Sequence, residues 1–183
     1  MNQLSSVCIF CGSRSGFNPV YHKESYLLGH LLAKSDVRLV YGGGNVGLMG
    51  AVARGALDNG GKVSGIIPRF LAAKERIGNS LDELDEAIIT DNMHERKMLM
   101  YEKADAFVAL PGGIGTLEEL IEQLTWAQLG QHRKPIVLAN FDGFWEPLLA
   151  LLAHMNEQSI PLQYASHCSF KSNHCCGNSS ANR

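Results

Sequence analysis

The stretch 111–123, "PGGIGTLEELIEQ", joins two kinds of chemistry. Its glycines, Gly112, Gly113 and Gly115, let the backbone bend sharply and come close to a ligand. A helix that starts just after them turns unpaired N–H groups and a partial positive charge toward the same spot, which suits a phosphate. Within the next two turns come Glu118, Glu119 and Glu122, side chains of the kind that stabilise positive charge or move protons. Thr116-Leu117-Glu118-Glu119 also fits the S/T-x-x-E capping box, with Thr116 as N-cap and Glu119 at the third helical position. Capping and catalysis are both open for Glu119. At helical spacing Leu117, Leu120, Ile121 and Leu124 form the core stripe, and Glu119 shares a flank with Thr116 and Gln123. Glu118, Glu122 and Thr125 share another, on which Glu122 is expected to be solvated.

A second glycine cluster, "VYGGGNVGLMG", offers Gly43 and Gly44 as further phosphate-loop candidates. Neither cluster is a Walker A loop, because no Gly-Lys-Ser/Thr follows, and Gly113-Ile114-Gly115 is followed by Thr116-Leu117-Glu118, so it is not the dinucleotide fingerprint G-x-G-x-x-G. A third element is "DNMHERKMLMYEKAD", a helix capped by Asp91 or Asn92. Arg96 and Lys97 lie there among apolar neighbours on adjacent turns. Either they snorkel over a hydrophobic surface, or Arg96 offers its planar fork to a phosphate or carboxylate in a pocket. His94 reads as a first-turn surface residue.

These residues need elements to hold them. Short apolar runs, "SVCIFCGS", "VRLVYGGG", "KVSGIIP", "AIITDN", "AFVALPGG" and "PIVLAN", read as parallel strands buried on both faces. Helical stretches fall between them at about 19–34, 47–59, 93–103, 116–129 and 143–158. The alternation predicts one α/β domain: a Rossmann-like, doubly wound parallel sheet with helices on both faces. Both glycine clusters then lie at the carboxyl ends of strands, where such sheets bind ligands. Residues 70–85 read as a loop with one helical turn. The domain spans 1–162, and 163–183, rich in Ser, Asn, Cys and His, is expected to be irregular and to add little to the core.

The net charge of −2 argues against a nucleic-acid binder. No run is long enough to span a membrane, and the first residues lack a signal peptide's charged and apolar regions, so a cytoplasmic setting is expected. Five cysteines are read as free thiols; "CIFC" sits in a strand, which disfavours a redox pair or zinc site.

Taken together, "PGGIGTLEE", "MHERK", "FCGSRSG", "YGGGNVGLMG", "GIIPRFL" and "LTWAQLG" resemble, in order and spacing, the LOG family of cytokinin riboside 5′-monophosphate phosphoribohydrolases. The likeness runs from about Val7 to Pro161. It implies a Rossmann-like fold, a homodimer, no metal or cofactor, and hydrolysis of the N-glycosidic bond of a nucleoside 5′-monophosphate to free base and ribose 5-phosphate. It implies Arg96 and Glu119 as catalytic residues. It places Gly112, Gly113, Ile114, Gly115, Thr116, Leu117, Glu118 and Thr125 at the nucleotide, with Arg96 and Lys97 also touching substrate and Glu75 matching a further binding Glu. The family has also carried the label lysine decarboxylase, but nothing in this sequence points to pyridoxal chemistry. After Leu162 the chain departs from the family, whose members continue with a short strand and a helix. The rival readings are a protein of the same fold that binds a nucleotide or cofactor without cleaving it, and an enzyme acting on another phosphorylated metabolite.

Overall fold

The computed structural model describes residues 4–75, 81–159 and 168–172. Seven parallel strands form one sheet in the order β4-β3-β2-β1-β5-β6-β7. They are β1 (Ser6–Phe10), β2 (Arg38–Tyr41), β3 (Val63–Pro68), β4 (Glu86–Thr90), β5 (Ala106–Ala109), β6 (Ile136–Asn140) and β7 (Cys168–Ser172). The helices are α1 (Pro19–Lys34), α2 (Gly47–Leu57), α3 (Arg69–Glu75), α4 (Met93–Glu102), α5 (Ile114–Gln128) and α6 (Glu146–Glu157). This is the doubly wound sheet read from the sequence.

The period of two along each strand divides the core into two layers. Val7, Ile9, Leu39, Tyr41 and Val63 face Leu32, Met49, Val52 and Ala56 of α1 and α2. Cys8, Phe10, Val40, Ile66 and Phe107 face Met100 of α4 and Leu120, Leu124 and Ala127 of α5. Central strands are apolar on both sides for this reason: β1 and β3 are buried at every position, whereas β4, at the edge, alternates. Cys8 and Cys11 form no disulfide and belong to opposite layers, so "CIFC" makes neither a redox pair nor one metal face.

From β1 the chain winds outward through β2 and β3 to β4, then crosses back to place β5 on the other side of β1. The loops after β1 and β5 therefore diverge at the carboxyl edge, the crevice in which such sheets hold ligands. Gly12 N donates to Pro111 O at 3.1 Å and stitches the floor of that crevice.

Two expectations change. Arg69–Glu75 forms a full helix, α3, where the sequence suggested a loop with one turn. Within 163–183, expected to be irregular, Cys168–Ser172 is a strand paired along its length with β6. An edge strand offers a row of unpaired N–H and C=O groups to an extended segment, so pairing does not need a periodic apolar pattern. The rest of 163–183 and residues 76–80 lie outside the described residues.

Candidate active site

Helix α5 starts earlier than a capping box would have it. Its N-cap is Gly113, with no side-chain cap, and Thr116 is its third residue. The cause is Gly112: a Cβ there would stand 2.2 Å from Thr116 Oγ1, so only glycine lets the loop fold down against Thr116 and enter the helix at once. Glu119 is thus well inside the helix, past the third helical position that a capping box would give it. The capping box belongs to α4 instead, where Asn92 Oδ1 accepts from Glu95 N at 2.9 Å and Glu95 Oε2 accepts from Asp91 N at 3.0 Å.

The N-cap residue, Gly113, has no side chain to cap the first turn of α5, and that turn holds no acidic residue. Its N–H groups and dipole then face the crevice as an anion site. A Cβ at Gly113 or Gly115 would meet nothing within 4 Å, and neither has a positive φ. Neither packing nor strain requires glycine there; open space above the backbone is what glycine provides. The second glycine cluster works differently. Leu48 N and Met49 N, at the start of α2, already donate to Gly12 O at 3.0 and 3.3 Å, and the candidates Gly43 and Gly44 are buried.

The polar flank of α5 is the one that turns inward. Thr116, Glu119 and Gln123 are buried beside Leu120 and Leu124, while Ile121, assigned to the core stripe, is exposed. Facing Glu119 from α4 is Arg96. Their side chains are only 10% and 8% exposed, with Nη2 to Oε1 at 3.6 Å, so Arg96 does not snorkel. Arg96 Nη1 reaches Met93 Sδ at 3.7 Å, and Nε is buried with no hydrogen-bond partner among the described residues. A buried guanidinium with an unsatisfied donor, next to a carboxylate and an uncapped helix start, is a site for a ligand that is both anionic and polar. Cys8 lies beneath the pair. Burial pushes its thiol well up and Glu119 adds to this against the opposing pull of Arg96, so it is not a thiolate nucleophile.

Gly42 makes room for Arg96. A Cβ at that position would lie 2.1 Å from Arg96 Nη2. Gly42→Ala is expected to displace the guanidinium while the fold survives, because the end of a long side chain can swing. Turnover should fall at least ~10-fold, since small misplacements near the reacting atoms are costly. Melting temperature should move by less than about 4 °C. Thermal melts run beside rate assays check this; unchanged turnover would mean that Arg96 can act from elsewhere.

The remaining predicted residues separate into groups. Lys97 turns to Glu118 and Glu122, each at 2.8 Å, so Glu122 is not the solvated residue expected. Thr125 is exposed and hydrogen-bonds its own helix at Ile121 O. Leu117 is half-buried in the core, Ile114 is exposed at the helix start, and His94 is exposed. Glu75 ends α3, which follows β3 at the same sheet edge. The roles of Gly12, Gly42 and Glu122 in the site were missed: what they do depends on partners from distant segments.

A family profile described as "Possible lysine decarboxylase" matches residues 49–173. The Arabidopsis thaliana cytokinin riboside 5′-monophosphate phosphoribohydrolase LOG2 is 49% identical over 151 residues, 82% of this chain and 70% of that protein. The Rhodococcoides fascians cytokinin riboside 5′-monophosphate phosphoribohydrolase is 48% identical over 150 residues, 81% of this chain and 74% of that protein. This chain belongs to the LOG family. Among solved structures, a molybdenum cofactor binding protein from Rippkaea orientalis matches the LOG chain with TM-score 0.62 and 25% identity, over 94% of this chain and 91% of that one.

The decarboxylase label can be tested on the LOG chain's own residues. Pyridoxal chemistry needs a lysine amine able to lose its proton. At Lys97 burial opposes the charge, but the hydrogen bonds that its ammonium donates to Glu118 and Glu122 outweigh it and hold the group as a cation. The lysine beside Arg96 therefore does not fit that cofactor.

Proposed function

We propose that this chain hydrolyses the N-glycosidic bond of cytokinin riboside 5′-monophosphates, and of AMP, to free base and ribose 5-phosphate. The observation that carries the reading is the buried Arg96–Glu119 pair beside the uncapped start of α5. The 5′-phosphate sits on the backbone N–H groups of residues 113–116, above the open glycines. Glu119, one turn deeper, faces the ribose. As the bond to the base breaks, positive charge builds on the sugar, and a carboxylate in a dry site stabilises it strongly. Arg96 holds Glu119 in place and balances its charge beside the substrate. The names of relatives at nearly half identity support this chemistry.

The test is incubation with AMP and with an N6-isoprenoid AMP, followed by chromatography. Free base released from either supports the reading. Tight binding of both with no release would favour the rival, a carrier of a nucleotide-like cofactor on the same fold.

We further propose a homodimer and a cytoplasmic setting, the latter in keeping with a Cys8 and a Cys11 that form no disulfide. Met98 of α4 and Ile121 of α5 are exposed apolar residues on neighbouring helices, and Leu129 follows at the end of α5. Light scattering is expected to give twice the 20.0 kDa of one chain; a 20.0 kDa particle across micromolar concentrations would contradict the dimer.

A further inference from the structure

We propose that Lys97, clamped between Glu118 and Glu122, is a positioning residue that sets the spacing of α4 and α5 at which Arg96 meets Glu119. The inference rests on the phosphoribohydrolase reading of that pair. Successive residues on a helix point about 100° apart. Arg96 therefore aims inward and Lys97 toward the rim, and on the facing helix Glu119 aims inward and Glu118 toward the rim. The two ion pairs bridge the same two helices at the same level, Arg96–Glu119 inside and Lys97–Glu118 outside.

Glu118 and Glu122, four residues apart, stand one above the other on α5. Lys97 Nζ lies between them at 2.8 Å from each, with its side chain only 12% exposed. A cation held from two sides resists sliding in either direction along α5. One residue of slip is about 1.5 Å, enough to part Arg96 from Glu119.

Two observations separate this role from direct contact with the phosphate. Lys97 is outnumbered by its carboxylates, so the group presents net negative charge and is a poor anion receptor. Glu122 Oε2 is buried with no hydrogen-bond partner among the described residues. An unsatisfied buried acceptor is destabilising, so the arrangement is not the one that stability alone would select.

The experiment compares wild type with Lys97→Met, Lys97→Arg, Glu118→Gln/Glu122→Gln and the combination of Lys97→Met with both Gln changes. Steady-state kinetics use the N6-isoprenoid AMP, and melting temperatures are taken on the same samples. Lys97→Met should lower kcat ~10- to 100-fold, with KM within about threefold of wild type. Lys97→Arg should keep most of the rate. The Gln pair should behave like Lys97→Met, and the combination no worse than either, because all remove one clamp. A raised KM with kcat intact in Lys97→Met would make Lys97 a substrate contact and overturn the proposal. Full activity in the Gln pair would do the same, and unchanged kinetics throughout would reduce the clamp to a rim ion pair. If wild type itself releases no base, the reaction assignment falls separately. The clamp is then judged on the melting temperatures, where additive losses contradict it.

Discussion

Glu119→Gln is expected to slow turnover at saturating nucleotide by ~100-fold or more while leaving nucleotide affinity close to wild type. The substitution keeps the shape of the side chain and an oxygen that can still lie beside Arg96 Nη2. What it removes is the negative charge one helical turn below the phosphate cradle. That charge matters little to the ground state, in which the ribose is neutral. It matters in the transition state, when the sugar becomes cationic in a site that excludes water; losing one preorganised electrostatic contact there costs ~10²–10³ in rate. Because Glu119 lies inside α5 and not at the third helical position, a capping-box role does not account for such a loss. Stopped assays for free base and equilibrium binding of AMP check the two halves. Turnover intact in the variant would remove Glu119 from the reaction.

The second large effect is expected at Arg96. Arg96→Met takes the cation away from a Glu119 side chain that is 10% exposed. Breaking a buried ion pair from one side costs about 3–5 kcal/mol, because a charge is left in a poor solvent. For a chain of this length each kcal/mol moves the melting temperature by roughly 2–4 °C. The variant should therefore melt well below wild type and lose activity as well. Adding Glu119→Gln to it should recover much of the melting temperature, since the stranded charge is gone, and should recover no activity. Additive melting losses in the double variant would show that the two groups do not act as a pair. Activity retained in Arg96→Met would remove the guanidinium from the mechanism.

The sheet and most helix bounds were legible because they rest on local signals. Pro19 opens α1 behind the Asn18 cap, whose Oδ1 accepts from Val20 N at 3.0 Å, and each buried strand is a short apolar run. The start of α5 was less so. "TLEE" carries the capping pattern, yet the packing of Gly112 against Thr116 decides where the helix begins, and no propensity reports that contact. Burial of Glu119 and Arg96 was equally hidden. Helical spacing placed Glu119 on a polar flank, and polar flanks ordinarily face water; here an arginine from another helix turns that flank inward. The roles of the two residues came from resemblance to the LOG family, not from their spacing. Glu122 was misread for the same reason, since its partner Lys97 is 25 residues away in the chain. β7 escaped notice because its pairing rests on backbone groups of β6 rather than on side-chain pattern.

The central claim is that one ligand spans both halves of the site, with its phosphate on the start of α5 and its ribose at Glu119. The most direct measurement is kcat/KM for the N6-isoprenoid AMP against the same compound without its phosphate. Charge-assisted hydrogen bonds are worth about 1.5–3 kcal/mol each, and two or more are lost with the phosphate. The account predicts that the nucleotide is cleaved at least ~100-fold more efficiently than the riboside. Comparable cleavage of both would contradict it, by showing that residues 113–116 do not hold a phosphate during the reaction.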